Sequence, residues 1–342
     1  MKNTGMSRLT IRLIFVGLLL LSPLATVTDW AQPQTGSARS RMLQLLGLPR
    51  QPPVARPPVA EILTRNVDGD VTIEDLRFDA GRGVWVPGMV VKPNPSSGRL
   101  PVIICLPGTS GTRQHLTDSR LRLTEFPRTG WARALSRQGF LTLSLDYLGS
   151  ESRGQNIYLD AVHAQLEGRN YMGLMVAEVL RAVDYLLTRP DVDGTRIGIT
   201  GFSLGGAMSW YAGAADPRLS VIVPVCGGAG TYDDLLRYRR NTGYHSQYFY
   251  PAGFLKLFPG DQPEVFASLA PRAVLIVGRD QDQGMPIEGL RILEEKVKKV
   301  YASRKATDRF AVHVTAGDHT YTNEMFAQVS DWFVRFLKPS KI

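Results

Sequence analysis

Two cysteines and five histidines in 342 residues leave little from which to build a disulfide framework or a metal centre. Each cysteine, Cys105 and Cys226, lies in an apolar run that reads as a buried strand, which predicts two free core thiols. His115 and His163 have no partner at metal-ligand spacing, so they are expected at the surface or behind a site, and neither a metal nor a cofactor is expected. A long apolar run is also missing. The stretch Leu13 to Leu21 is too short for a membrane span, which needs about 20 residues. Nor is the formal charge of +9 concentrated: Arg39/Arg41, Arg237/Arg239/Arg240 and Lys296/Lys298/Lys299 are short local groups with no nucleic-acid module around them. The expectation is a solvated basic surface and no nucleic-acid partner.

What is present is a hydrophobic fraction of 44%, enough for a large core and far from a disordered composition. At the start, Lys2, Arg8 and Arg12 precede the apolar run, and "SPLATVTDWAQ" follows it, the three-part layout of a secretory signal. Cleavage is expected between Ala25 and Ala31, with an uncleaved anchor as the alternative. A secreted or periplasmic protein follows, with no membrane contact beyond the export signal. Residues 1–31 are read as that signal, and residues 32–59 as a short helix in "SARSRMLQLLGLP" followed by the Pro-rich connector "PRQPPVARPPVA". Residues 60–340 are read as one α/β domain carrying a specificity insertion at about 228–268.

Within that domain the rhythm changes at Pro101. Before it, "EILTRNV", "VTIEDLRFD" and "GVWVPGMVVKP" alternate apolar and polar residues between turns, as antiparallel hairpins do. After it, short continuous apolar runs such as "PVIICLPG" and "LSVIVPVCG" alternate with helical patterns such as "GLMVAEVLRAVDYLLTRP". That alternation implies a mostly parallel sheet with helices on both faces. Ligands in such sheets sit beyond the carboxyl ends of the strands.

Three strand ends carry candidate chemistry. In "RIGITGFSLGGAMSWYAG" a beta-branched run gives way to a helix at Ser203, flanked by Gly201, Gly205 and Gly206. A serine on such a sharp turn is forced outward, and small neighbours let strand and helix approach. Its hydroxyl needs a base. Of the histidines further along, His313 sits inside the alternating "FAVHVT" and reads as a strand-face residue. His319 falls in the loop "AGDHTYTNE", where an imidazole can reach back to the serine. The carboxylate behind it is either Asp280 or Asp282, both at the end of "AVLIV". Leu204, after the nucleophile, and Thr109, in "LPGTSGT", are the candidate backbone donors for an oxyanion.

The order "LPGTSGT", "GFSLGG", "GRDQDQGMPIEG", "GDHTYTNE" resembles the α/β-hydrolase fold. Within it, the chain is similar to the dienelactone-hydrolase and acetyl-xylan-esterase-like branch of secreted bacterial esterases, over roughly Ala60 to Leu337. The resemblance implies a Ser-His-Asp ester hydrolase working through an acyl-enzyme, without metal or cofactor. It also selects Asp282, four residues before Pro286 of the "P-x-x-G" helix start. One departure is the oxyanion loop: the family usually has His-Gly there, and here it is Pro107-Gly108. Peptidases of the prolyl-oligopeptidase type share the fold, but this chain has no room for their propeller. By the family's strand order the Ser203 strand lies between those of Cys105 and Cys226. Strands two apart are about 9.5 Å distant, beyond disulfide reach.

Substrate contacts are expected from the insertion, where Tyr248 and Tyr250 offer rings for sugar or acyl groups, and from Arg153 in "DYLGSESRGQN". A peptidase or amidase, and an exported binding protein that has lost its chemistry, are the two alternatives to an esterase. The partner expected is a small-molecule or carbohydrate ester.

Overall fold

The computed structural model describes residues 37–48, 56–81, 83–109, 111–121, 129–153, 156–237, 250, 253–258 and 260–338. The signal stretch, most of the Pro-rich connector and Tyr248 lie outside these residues. Helix α1 (Ala38–Leu45) precedes three antiparallel strands, β1 (Ala60–Asp68), β2 (Val71–Asp79) and β3 (Trp85–Pro93). Then come β4 (Leu100–Leu106), α2 (Arg113–Thr117), α3 (Trp131–Ser136), β5 (Leu141–Leu145), α4 (Ile157–Leu166), α5 (Tyr171–Thr188), β6 (Val192–Phe202) and α6 (Leu204–Ala215). The remainder is β7 (Leu219–Val225), α7 (Tyr232–Arg237), α8 (Phe254–Leu257), α9 (Gln262–Ala267), β8 (Ala273–Arg279), α10 (Ile287–Ser303), β9 (Phe310–Thr315) and α11 (Asn323–Leu337).

The nine strands form one sheet in the order β1-β2-β3-β5-β4-β6-β7-β8-β9, antiparallel as far as the β3–β5 pair and parallel from β5 to β9. The change of rhythm at Pro101 marks where parallel pairing begins. Side chains alternate across the pleat, so Val102, Ile104 and Leu106 of β4 join one core cluster, whereas Ile103 and Cys105 join the other. The first cluster is covered by α1, α5, α6, α9 and α10, the second by α3 and α11. On β6, Gly198 is required by close approach: a Cβ there would come within 2.6 Å of Phe333 and 2.8 Å of Leu337 on α11. Both cysteines are free and buried, Cys105 on β4 and Cys226 just past the end of β7, with β6 between those two strands.

Helix ends follow their sequence signals. Asn170 caps α5 by accepting from the Gly173 N–H at 2.8 Å, and Thr322 caps α11 by accepting from Met325 N–H at 3.2 Å. Helix α10 buries Leu290, Leu293, Val297 and Tyr301 and carries two Glu–Lys pairs, Glu294–Lys298 and Glu295–Lys299, on its outer face. Among the described residues no helix is long and apolar enough to cross a membrane.

Candidate active site

Ser203 stands between β6 and α6 with φ +55° and ψ −119°, a conformation in which an ordinary side chain is strained. Several backbone approaches hold it there. Its N–H donates to Val225 O at 2.9 Å on the neighbouring strand. A Cβ on Gly201 would lie 2.4 Å from the Gly205 backbone, and one on Gly206 would lie 2.6 Å from Val225 O. The glycines around the serine therefore do what the sequence suggested: strand and helix touch through bare backbone.

The other two groups arrive on loops from the far strands. His319 follows β9, and its Nε2 lies 2.9 Å from Ser203 Oγ. Its Nδ1 lies 2.8 Å from Asp282 Oδ2, and Asp282 is 2% exposed. The second carboxylate oxygen, Oδ1, accepts from the Gly284 N–H at 2.8 Å. With one oxygen held by backbone, the other is aimed at the imidazole. Phe202 packs under the His319 ring at 5.0 Å between centroids and stacks on Tyr321 behind it.

Asp280 does something else. It is exposed, and its Oδ1 accepts from the Gly317 N–H at 2.8 Å, so it ties the end of β8 to the turn that leads into His319. Gly317 has φ +124°, and a Cβ there would collide with the Arg279 guanidinium at 1.8 Å. Of the two carboxylates left open by the residues themselves, Asp282 faces the imidazole and Asp280 fixes the loop.

The thiol of Cys226 was expected to be a core group only. Its ligand atom and those of Asp282 and His319 all lie within 4.8 Å of one another. Burial pushes its pKa well up, and the carboxylate of Asp282 adds to that, so the sulfur stays protonated beside the acid. The 2.8 Å between Nδ1 and Oδ2 is a hydrogen-bond length.

The loop after β4 meets the start of α6. A Cβ on Gly205 would lie 2.3 Å from Leu106 O and 2.5 Å from Pro107 O, so the segment carrying Thr109 is drawn against the first turn that carries Leu204. The loop is pinned from the β5 side. The Tyr147 hydroxyl donates to Pro107 O at 3.1 Å. Asp146, fully buried, accepts from the Arg113 N–H at 2.6 Å and from its guanidinium, and also from Ser152 Oγ. Arg113 reaches on to Asp75 of β2 at 3.0 Å. Sequence reasoning missed Tyr147, Arg113 and Asp146. The signal available was "LDY" at a strand's carboxyl end, one strand from the loop that carries Thr109.

Two of the expected substrate contacts, Tyr250 and Arg153, fall elsewhere. Tyr250 is 7% exposed, stacked on Phe254 at 4.6 Å with its hydroxyl bonded to Tyr211, so its ring is spent on the core. Arg153 pairs with Glu178 at 2.8 Å and lines a cleft that includes none of Ser203, His319 and Asp282. His313 lies on β9 as a strand residue, 3.9 Å from Glu324. His115 accepts from the Thr112 N–H at 3.2 Å at the start of α2, and His163 is exposed on α4.

Comparison with known proteins extends this picture. The sequence profile of the prolyl oligopeptidase family matches residues 128–340. The putative hydrolase YtaP of Bacillus subtilis is 28% identical over 303 residues, covering 88% of this chain and 97% of that one. The acetyl esterase Axe7A of Xylanibacter ruminicola is 28% identical over 162 residues, which are 43% of this chain and 34% of that protein. Among solved structures, a glucuronoyl esterase from Solibacter usitatus superposes with a TM-score of 0.63 at 17% identity, covering 90% of this chain and 93% of its own. At that identity the likeness is one of fold, and the fold is the α/β-hydrolase fold that the motif order suggested.

Proposed function

The chain belongs to the prolyl oligopeptidase family, and on that premise we propose that it is an exported serine hydrolase that cleaves carboxylic esters, with sugar esters as the substrate class. The observation that carries the reading is the unbroken relay from Ser203 Oγ to His319 Nε2 at 2.9 Å and from His319 Nδ1 to Asp282 Oδ2 at 2.8 Å. In this reading the Ser203 oxygen attacks the ester carbonyl carbon while Nε2 takes the hydroxyl proton. Negative charge moves to the carbonyl oxygen, which the backbone N–H groups of Leu204 and Thr109 receive. The imidazolium then hands its proton to the departing alcohol oxygen as the C–O bond breaks, leaving an acyl-serine. Water repeats the sequence and releases the acid. Asp282 stays ionised throughout, holding the ring and stabilising its charged form.

Support for esters over amides comes from the neighbours: an acetyl esterase and a glucuronoyl esterase stand among them. The peptidase reading is favoured by the family itself, whose name is that of an oligopeptidase. Export rests on the basic residues and apolar run at the N-terminus. The experiment that separates the two activities compares p-nitrophenyl acetate and acetylated xylo-oligosaccharides with peptide p-nitroanilides. The ester reading expects kcat/KM to favour esters by several orders of magnitude. Peptide cleavage at equal or greater kcat/KM would replace it.

A further inference from the structure

The loop between β4 and α2 is held at both ends by two consecutive residues just past β5. At its far end Asp146 accepts from the N–H of Arg113, the first residue of α2, at 2.6 Å. Asp146 is itself tied to β3, its N–H donating to Pro87 O at 3.0 Å. At the near end the hydroxyl of Tyr147, a residue only 1% exposed, lies 3.1 Å from Pro107 O and 3.3 Å from Gly108 O, one donor shared between two carbonyls. Pro107 has no N–H, so the chain there can be gripped only through its carbonyl. Gly108 O is held a second time, by the Gly111 N–H at 3.0 Å.

A fixed carbonyl also fixes an amide. The peptide unit is planar and trans, so the Gly108 C=O and the Thr109 N–H point in opposite directions within one rigid plane. With Gly108 O turned to Tyr147 and Gly111, the Thr109 N–H is turned away from both. Among the described residues no group accepts from that N–H, nor from the N–H of Leu204. The Pro107 O that Tyr147 holds also lies against α6, where a Cβ on Gly205 would come within 2.5 Å of it. Tyr147 therefore grips the loop where it seats on the turn that carries Leu204.

We propose that Tyr147 is a positioning residue for hydrolysis: by holding Pro107 O and Gly108 O, its hydroxyl presents the unpaired Thr109 N–H to the charge that develops on the substrate carbonyl oxygen. This rests on the serine-hydrolase reading above and deepens it. Burial pushes the Tyr147 pKa well up, so the hydroxyl keeps its proton and remains a donor. It touches no reacting atom and acts only through the peptide plane. A donor aimed in advance acts on charge that appears in the transition state, so the effect belongs in kcat rather than in KM.

The test compares Tyr147→Phe with Tyr301→Phe in the full chain. Each removes one hydroxyl that donates to a carbonyl, but Tyr301 donates to Arg272 O at 2.8 Å, at the amino end of β8 and away from the site. The readouts are hydrolysis of p-nitrophenyl acetate and inhibition by an alkyl trifluoromethyl ketone, whose adduct with a serine carries an oxyanion. Tyr147→Phe is expected to lower kcat about tenfold with KM changed less than about twofold, and to weaken the ketone about tenfold, short of the roughly 10²- to 10³-fold for losing a donor outright. Tyr301→Phe is expected to leave both unchanged, with thermal melts showing each variant folded. Unchanged kcat and ketone affinity in Tyr147→Phe, or an equal loss in Tyr301→Phe, overturns the assignment. Fluorophosphonate labelling of the wild-type protein separates the two failures: a labelled Ser203 with ketone binding that Tyr147→Phe leaves intact sinks the role of Tyr147 alone, whereas an unlabelled Ser203 that binds no ketone sinks the hydrolase and this role with it.

Discussion

Two corners of the same sheet edge contrast sharply. At Ser203, His319 and Asp282 each named polar atom is matched, and the chain around the serine is bare backbone packed on bare backbone. Around the cleft beyond β5 the charged side chains are spent on one another, Arg153 on Glu178 at 2.8 Å and Arg169 on Glu167 at 3.4 Å. The first corner lines a hydroxyl, an imidazole and a carboxylate up in series along hydrogen bonds, whereas the second closes its charges on one another in pairs.

The contrast breaks most violently at Ser203. Ser203→Ala is expected to lower kcat by about 10⁴- to 10⁶-fold with little change in melting temperature, since the hydroxyl's hydrogen bond among the described residues is to the imidazole. Asp282→Asn is expected to cost about 10³- to 10⁴-fold in kcat by presenting the wrong partner to Nδ1. Asp280→Asn tests the same strand end from the other side. It alters only the tie to Gly317 N–H, and steady-state kinetics should register a loss under about tenfold. A loss from Asp280→Asn equal to that from Asp282→Asn would show that the two carboxylates have been assigned the wrong way round.

Smaller effects sharpen the account of how the corner is held. Gly205→Ala places a carbon against two carbonyl oxygens that cannot give way without moving the loop after β4. A loss of about 1–3 kcal/mol of stability, seen as a fall of several degrees in Tm, is expected. Activity should fall about 10²-fold, because the loop shifts relative to Leu204. Tyr147→Phe removes one donor to Pro107 O and should cost about 1 kcal/mol of stability, measured by urea titration, with a modest fall in kcat.

Much of this corner was legible because its parts are local. The strand-to-helix switch, the three glycines and the histidine in the last strand-to-helix loop are patterns of adjacent residues, and periodicity places them on one edge. The choice between Asp280 and Asp282 was not local. Both leave β8 within three residues, and only the turn that brings Gly284 N–H to Asp282 decides which one faces the imidazole. Tyr250 misled for a related reason. A tyrosine serves a binding face or a core with a polar tip equally well, and the partners that settle it, Tyr211 and Phe254, are known only from packing. The brace of Tyr147, Arg113 and Asp146 joins three strands out of sequence order, so spacing holds no trace of it.

The central claim is that Ser203 is the nucleophile. Incubating the folded wild-type protein with a fluorophosphonate and mapping the adduct by mass spectrometry tests it most directly. One adduct on Ser203, absent from the Ser203→Ala protein, is the predicted result. An unlabelled Ser203 in protein that still turns over esters would contradict it.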